Sequence, residues 1–430
     1  MGFPKSWTDR ARGKTRAADT RRRCFIKRSG VFTASALMSL VPAGARENAW
    51  AGGSGAPEKP ELRVGFIPLT DCASVVAAAH EGFDLRHGIR IVPVKKPSWA
   101  AMRDGLLSGE LDAAHVLYGL VYGVQMGVGG LQRDMAVLMT INRNGQSITL
   151  SNRFRSQGVA DGATLRARIG RDSRRYALAQ TFPTGTHAMW LYYWLAAHGV
   201  DPLRDVETVV VRPPQMVSEM RAGNIEGCCV GEPWGAQAVH DGVGFTAATS
   251  QDVWPDHPEK VLGATADFVA RHPNACRALV AAMLEASRFV DAAANRSAVA
   301  RLIAQPAYVD TEVSVIEQRF LGSYHDGLGR EWTDAHCMRF FADGEATFPY
   351  LSDGMWFLTQ QRRWGMLKRE PDYLAVAKQV NRIELYAQAA AQVGVALPAS
   401  ALRVSRLIDG AVWDGADPAR YAASFAVRAA

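Results

Sequence analysis

The 430-residue chain has no G-x-S-x-G elbow, no H-E-x-x-H pair and no phosphate-binding glycine loop. Gly127-Val128-Gly129-Gly130 follows a helical pattern rather than a strand, so it reads as a loop. No nucleophile, base and acid stand out as a set, so no catalytic residue and no cofactor is expected. Cysteine is scarce: six are present, at positions 24, 72, 228, 229, 276 and 337. If Cys24 leaves with an N-terminal leader, an odd and scattered set remains, without metal-ligand spacing. That excludes a disulfide scaffold and gives no metal site. Cys228 and Cys229 lie inside an apolar strand pattern and read as packing residues. Long apolar runs are also missing. The candidate at Val31 to Val41 is too short and too rich in small residues to anchor in a membrane.

A basic excess is missing from most of the chain, although the formal charge is +7. Residues 1–45 hold ten Lys or Arg against Asp9 and Asp19, a surplus of eight that leaves the remainder near −1. The globular part therefore has no overall field to attract a polyanion, and no nucleic-acid partner is expected.

What the N-terminus does have is the layout of an export signal. A charged start precedes the apolar run, and Ala43-Gly44-Ala45 or Ala49-Trp50-Ala51 offers a cleavage box. Arg22-Arg23-Cys24-Phe25-Ile26-Lys27 has the form of a twin-arginine signal, which implies export of an already folded protein to the periplasm. Residues 1–45 are thus read as a signal and 46–61, rich in Gly and Pro, as a flexible linker.

The folded part begins at Leu62 with an alternation of strand and helix. LRVGFIPL, IRIVPV and LDAAHVLY are strand-like, and SWAAMRDGLLSG is helical. The same order returns about 114 residues later as YALAQTF, VETVVVRPP, QMVSEMRAG and IEGCCVGEP. The helix ends correspond, Ser108-Gly109-Glu110-Leu111-Asp112-Ala113 against Ala222-Gly223-Asn224-Ile225-Glu226-Gly227. Two α/β lobes with a cleft between them follow from this repeat. The segment 136–150, with an Asn144-Gly145 turn, carries the chain out of the first lobe, and 246–260 carries it back. The expected division is 62–150 and 251–430 for lobe I and 151–250 for lobe II, with two crossings as a hinge.

At the centre stands Tyr176 to Gly199, a strand, a turn and a helix opening near Thr186. Thr184 or Thr186 is a candidate N-cap, and the helix N-terminus beyond a strand's carboxyl end suits a small anion. Hydrogen-bond donors recur at the lobe edges: Trp99 after a strand, Gln146 after the Asn-Gly turn, His187 opening the central helix and Lys260 at the return crossing. Each also has an ordinary reading, as a core aromatic, a turn residue, a surface histidine and a solvated charge.

The stretches GFIPLTD, PSW, NGQ, TFPTGTH, VVRPPQM, GCCVGEPW, QDVWPDHPEK and WFLTQQRRWG make Leu62 to Ala430 resemble the nitrate- and bicarbonate-binding proteins of ABC importers. The resemblance implies an α/β periplasmic-binding-protein fold of type II, with two crossing strands between lobes, and no catalysis. It places anion contacts on Trp99, Gln146, His187 and Lys260, with main-chain groups near Pro213, Val230 and Gly231. It implies nitrate, and nitrite beside it, as ligand, a permease with ATPase subunits as partner, and a monomer. Nitrate accepts hydrogen bonds and never donates them, so a pocket of donors with one positive charge suits it. Lysine at 260 stands where bicarbonate-binding relatives have glutamate. Lys260→Glu is therefore expected to abolish nitrate binding and Lys260→Met to weaken it less. The other readings are a nitrate sensor that sequesters a regulator, a bicarbonate or sulfonate binder, and an enzyme on the same fold.

Overall fold

Short apolar runs bounded by turn residues form strands at both places where the sequence repeats. The computed structural model describes residues 55–429. The signal read over 1–45, with Arg22-Arg23 and both cleavage boxes, lies outside the described residues, as does most of the linker. The linker's last residues are held in place. Glu58 accepts from the backbone N–H groups of Asn274 and Ala275 at 3.1 and 3.0 Å, capping the helix Pro273–Asp291. Lys59 pairs with Asp112 at 2.6 Å.

The first sheet has six strands. It contains β1 (Glu61–Phe66), β2 (Arg90–Lys95), β3 (Ala113–Leu117), β4 (Met135–Asn144), the later Pro258–Thr265 and the two-residue Met338–Arg339. The second has five: β5 (Gln146–Ser151), β6 (Ala177–Gln180), β7 (Glu207–Val210), β8 (Gly227–Gly231) and β9 (Gly244–Thr249), in the order β7-β6-β8-β5-β9. Pro258–Thr265 is β10, and it runs antiparallel to β3 and β4. β1 is parallel to β2 and β3, and β6 is parallel to β7 and β8, so each half carries the same parallel core. The helix ends matched in the sequence also agree. Gly109 closes Trp99–Ser108 and Gly223 closes Met216–Ala222, each in the left-handed conformation that glycine adopts without strain.

The chain leaves the first sheet at a single residue. β4 ends at Asn144 and β5 begins at Gln146, so only Gly145 lies between strands of different sheets. Gly145 has φ +89°, and a Cβ there would lie 2.2 Å from Met338 Cε, so only glycine fits. The strand assigned from sequence to the end of lobe I, Gln146 to Leu150, hydrogen-bonds instead in the second sheet, with Gln146 opposite Gly231 and Ile148 opposite Cys229. Its apolar alternation suited either sheet, and the sharp bend at Gly145 decides. The return crossing runs from β9 to β10. Both crossings are tied together by Asn144, whose amide donates to Asp256 Oδ1 at 3.0 Å and to His336 O at 2.7 Å.

After β10 the chain is mostly helical, as Pro273–Asp291, Ala293–Ile303, Leu351–Arg363, Tyr373–Val380 and Ile383–Gln392. Two short hairpins, Ser323–His325 with Glu331–Thr333 and Ser405–Arg406 with Val412–Trp413, interrupt it. No helix among the described residues is long and apolar enough to cross a membrane.

Candidate functional site

The helix Thr186–Ala197 is buried from Thr186 through Leu195, on every face. It therefore cannot present a surface histidine at its start, and His187 is fully buried. Neither threonine caps this helix: the N-cap is Gly185, with no side-chain cap. Thr186 Oγ1 donates instead to the carbonyl of Glu259 at 3.1 Å. Thr184 is seated on the glycine face of the helix Tyr118–Gln125, where a Cβ on Gly123 would lie 2.5 Å from Thr184 Oγ1 and one on Gly119 2.3 Å from Thr184 O. The two halves thus meet closely at this turn. Further ties are Thr70 N–H to Glu232 O at 2.7 Å and Trp234 Nε1–H to Pro68 O at 2.9 Å.

Around His187 lies a chain of ionisable groups with fully buried side chains. His115 Nε2 is 2.7 Å from Asp71 Oδ1, and Lys260 Nζ donates to Asp71 Oδ2 at 2.7 Å. Lys260 Nζ also donates to Glu259 Oε1, which in turn lies 2.8 Å from His187 Nε2. Thr181 Oγ1 closes the chain on His187 Nδ1 at 2.6 Å. With Nε2–H donated to the carboxylate, Nδ1 accepts from the threonine hydroxyl.

Adjacent residues of a regular strand point to opposite faces, yet Glu259 and Lys260 meet. A register shift between Pro258 and Lys260, a bulge in the pairing with β4, turns both side chains inward.

Burial alone would lower the Lys260 pKa, but Asp71 and Glu259 outweigh it and hold the ammonium above its usual range. Burial pushes the Asp71 and Glu259 carboxyls up, and Lys260 together with the histidine hydrogen-bonded to each more than reverses this, so both stay ionised. For His187 burial wins over Glu259, and the imidazole is held below its usual value and neutral. His257, beneath Trp190 and Trp254, is pushed down by burial to about 4.

Trp99 opens a helix capped by Ser98, whose hydroxyl accepts from Ala101 N–H at 3.2 Å. Its ring centre is 5.6 Å from Lys260 Nζ, and its buried indole N–H has no partner among the described residues. Gln146 is buried too, and neither atom of its amide has a partner there. Gly231 sits directly opposite Gln146 across the β5–β8 pair, and a Cβ on Gly231 would point to within 3.5 Å of His187 Nε2. Opposite residues share a face, so the Gln146 side chain and the open space at Gly231 both look toward His187.

Trp99, His187 and Lys260 therefore form one cluster, faced by Gln146 and Gly231. Pro213 stands at its mouth. It lines, with Trp99, Thr181, Phe182 and Arg212, an open depression of about 360 Å³ between the halves. Val230 is buried inside β8. Asp71, His115, Thr181 and Glu259 were missed as members of the site, although Asp71 and Glu259 stand in the quoted LTD and PEK stretches.

The NMT1-like family pattern matches residues 55–304. The chain is 37% identical over 389 residues to the nitrate/nitrite binding protein NrtA of Synechocystis sp., covering 87% of each. It is also 37% identical over 380 residues to the nitrate import ATP-binding protein NrtC of the same organism, covering 87% of this chain and 56% of that one. The crystal structure of the periplasmic nitrate-binding protein NrtA from Synechocystis superposes with a TM-score of 0.83 at 35% identity, over 86% of this chain and all of that one.

Proposed function

This chain belongs to the NMT1-like family, and from that premise we propose that it is a solute-binding protein that holds nitrate, and nitrite beside it, between its two lobes and delivers it to an ABC importer. The fold is that of the two-lobed periplasmic binding proteins. One observation carries the ligand. Donors from four separate segments, Trp99, Gln146, His187 and Lys260, are buried around one spot, and two of them have no partner within the described residues. Leaving buried donors unpaired costs roughly 1–3 kcal/mol each, so such a set implies something to accept from them. A planar anion that only accepts is suited to an indole N–H, an amide, an imidazole N–H and an ammonium. Main-chain groups near Pro213, Val230 and Gly231 complete the shell, with Gly231 leaving the room that a side chain would fill.

The partner is an integral-membrane permease with cytoplasmic ATPase subunits, a reading supported by the similarity to an ATP-binding protein of nitrate import. The protein acts as a monomer and releases the anion unchanged, with no catalytic step. Export follows the twin-arginine route to the periplasm, so replacing Arg22 and Arg23 by lysine should leave precursor in the cytoplasm. Bicarbonate is the second reading, favoured by one feature: Glu259 Oε2 is buried without a hydrogen-bond partner and could accept from a bicarbonate O–H. Calorimetry of the mature protein with nitrate, nitrite, sulfate, and bicarbonate with and without calcium decides. Nitrate should bind at one site per chain, and heat from bicarbonate alone would replace it as ligand.

A further inference from the structure

Two of the four candidate donors are already engaged, and by the same atom. Glu259 Oε1 accepts from Lys260 Nζ and lies 2.8 Å from His187 Nε2. Each of those donors also has a second partner of its own, Asp71 for Lys260 at 2.7 Å and Thr181 for His187 at 2.6 Å. The shared acceptor can thus be withdrawn without either donor losing its anchor. Asp71 is in turn fixed by His115 at 2.7 Å. Glu259 Oε2 has no hydrogen-bond partner within the described residues, and the ring nitrogen Nδ1 of His257 lies 4.0 Å from it, beyond hydrogen-bond reach.

The charge around this atom also has a consequence for an incoming anion. The groups facing it are Asp71 on the turn after β1, His115 on β3, His187 on the central helix, Cys229 on β8, His257 just before β10 and Lys260 on it. Arg403 from the C-terminal segment acts on His257. Cys229 is a buried thiol kept neutral by burial, and His187 and His257 are neutral as well. Asp71, Glu259 and Lys260 set two carboxylates against one ammonium, an excess of one negative charge. A monovalent anion entering unaccompanied would add a second negative charge among fully buried side chains.

Resting on the nitrate reading above, we propose that Glu259 is the pocket's resident acceptor: it holds Lys260 and His187 in the ligand-free protein and yields both to the anion as the Glu259–His187 pair takes up one proton. Nitrate and proton then enter together and the buried charge is unchanged. Glu259 sets the affinity by competing with the ligand. It also makes binding tighter as the pH falls, because the bound state carries the extra proton.

The test is calorimetry of the mature wild-type protein and of Glu259→Gln with sodium nitrate. It is run at about pH 8 and about pH 6, in buffers of different ionisation enthalpy. Wild type should absorb close to one proton per nitrate bound and therefore bind up to about a hundredfold more tightly two pH units lower. Glu259→Gln keeps the shape but not the charge. It should bind nitrate at least about tenfold more tightly than wild type at about pH 8, with little change at about pH 6. Wild-type binding without proton uptake overturns the inference, and that measurement stands even if the variant does not fold. A folded Glu259→Gln that binds no more tightly than wild type overturns it equally. Wild type that binds no nitrate at either pH removes the functional reading itself, a result distinguishable from both.

Discussion

Lys260→Met is the substitution that separates the two kinds of work done by the ammonium. Lys260 is fully buried, bonded to Asp71 and Glu259, and lies against the face of Trp99. From sequence alone a neutral residue at 260 was expected to be milder than glutamate. The structure makes methionine costly in its own right, because it leaves the two buried carboxylates of Asp71 and Glu259 with no cation between them, where glutamate would leave three. Removing one partner of a buried ion pair costs about 3–5 kcal/mol of stability. Nitrate binding loses an opposite charge as well, worth roughly 4 kcal/mol at about 4 Å and an effective dielectric near 20. That corresponds to roughly a thousandfold in affinity. Urea denaturation measures the first loss and nitrate calorimetry the second. A further Asp71→Asn change in the Lys260→Met background should recover part of the stability, by removing one unpaired carboxylate, without restoring wild-type binding, because the ammonium is still absent. If Lys260→Met unfolded within about 1 kcal/mol of wild type and bound nitrate within about tenfold, the ammonium would be neither the counter-ion of the cluster nor the charge that selects the anion.

The remaining expectations concern the same cluster and the hinge. His257 has its pKa lowered by burial from 6.5 to about 4, so the unfolded chain takes up its proton first as the pH falls. Its contribution is intact above about pH 6.5 and is lost toward about pH 4, a fall of roughly 3 kcal/mol; a His257→Gln variant with the same acid dependence as wild type would refute this. His187→Ala should weaken nitrate binding by about 1–3 kcal/mol through loss of one hydrogen bond to a charged group. Unchanged affinity by calorimetry would return His187 to a packing role. Small-angle scattering should show a smaller radius of gyration with nitrate, because the donors come from both halves. An identical profile at saturating nitrate would exclude closure on the ligand.

The repeat was the legible part of the fold. Two runs of strand, helix and strand with matching helix ends were enough to anticipate two parallel cores, and Gly109 and Gly223 do close equivalent helices. The place of the first crossing was not legible. Ile148 and Leu150 would bury equally well in either sheet, and what selects the second is the left-handed bend at Gly145 against Met338, a contact across nearly two hundred residues of chain. The caps failed for a similar reason. Threonine beside a helix start is a good local signal, but Thr186 has a better partner in the Glu259 carbonyl, which only the tertiary structure brings near.

The site shows the same division between residue chemistry and placement. Donor chemistry is visible in single residues, so Trp99, Gln146, His187 and Lys260 could be picked out one at a time. Acceptors around an anion site are not sought, because a carboxylate beside an anion looks unfavourable, and the period-2 rule of a strand sends Glu259 away from Lys260. The bulge between Pro258 and Lys260 cancels that rule at the one position where it matters. Once both side chains face inward, an acidic residue is what keeps a buried lysine charged and a buried imidazole oriented without ligand. The pocket then has no vacant positive charge to attract the wrong anion or to destabilise the empty protein. Its selectivity arises as a difference between two acceptors for the same donors, one covalently attached at Glu259 and one arriving from solution.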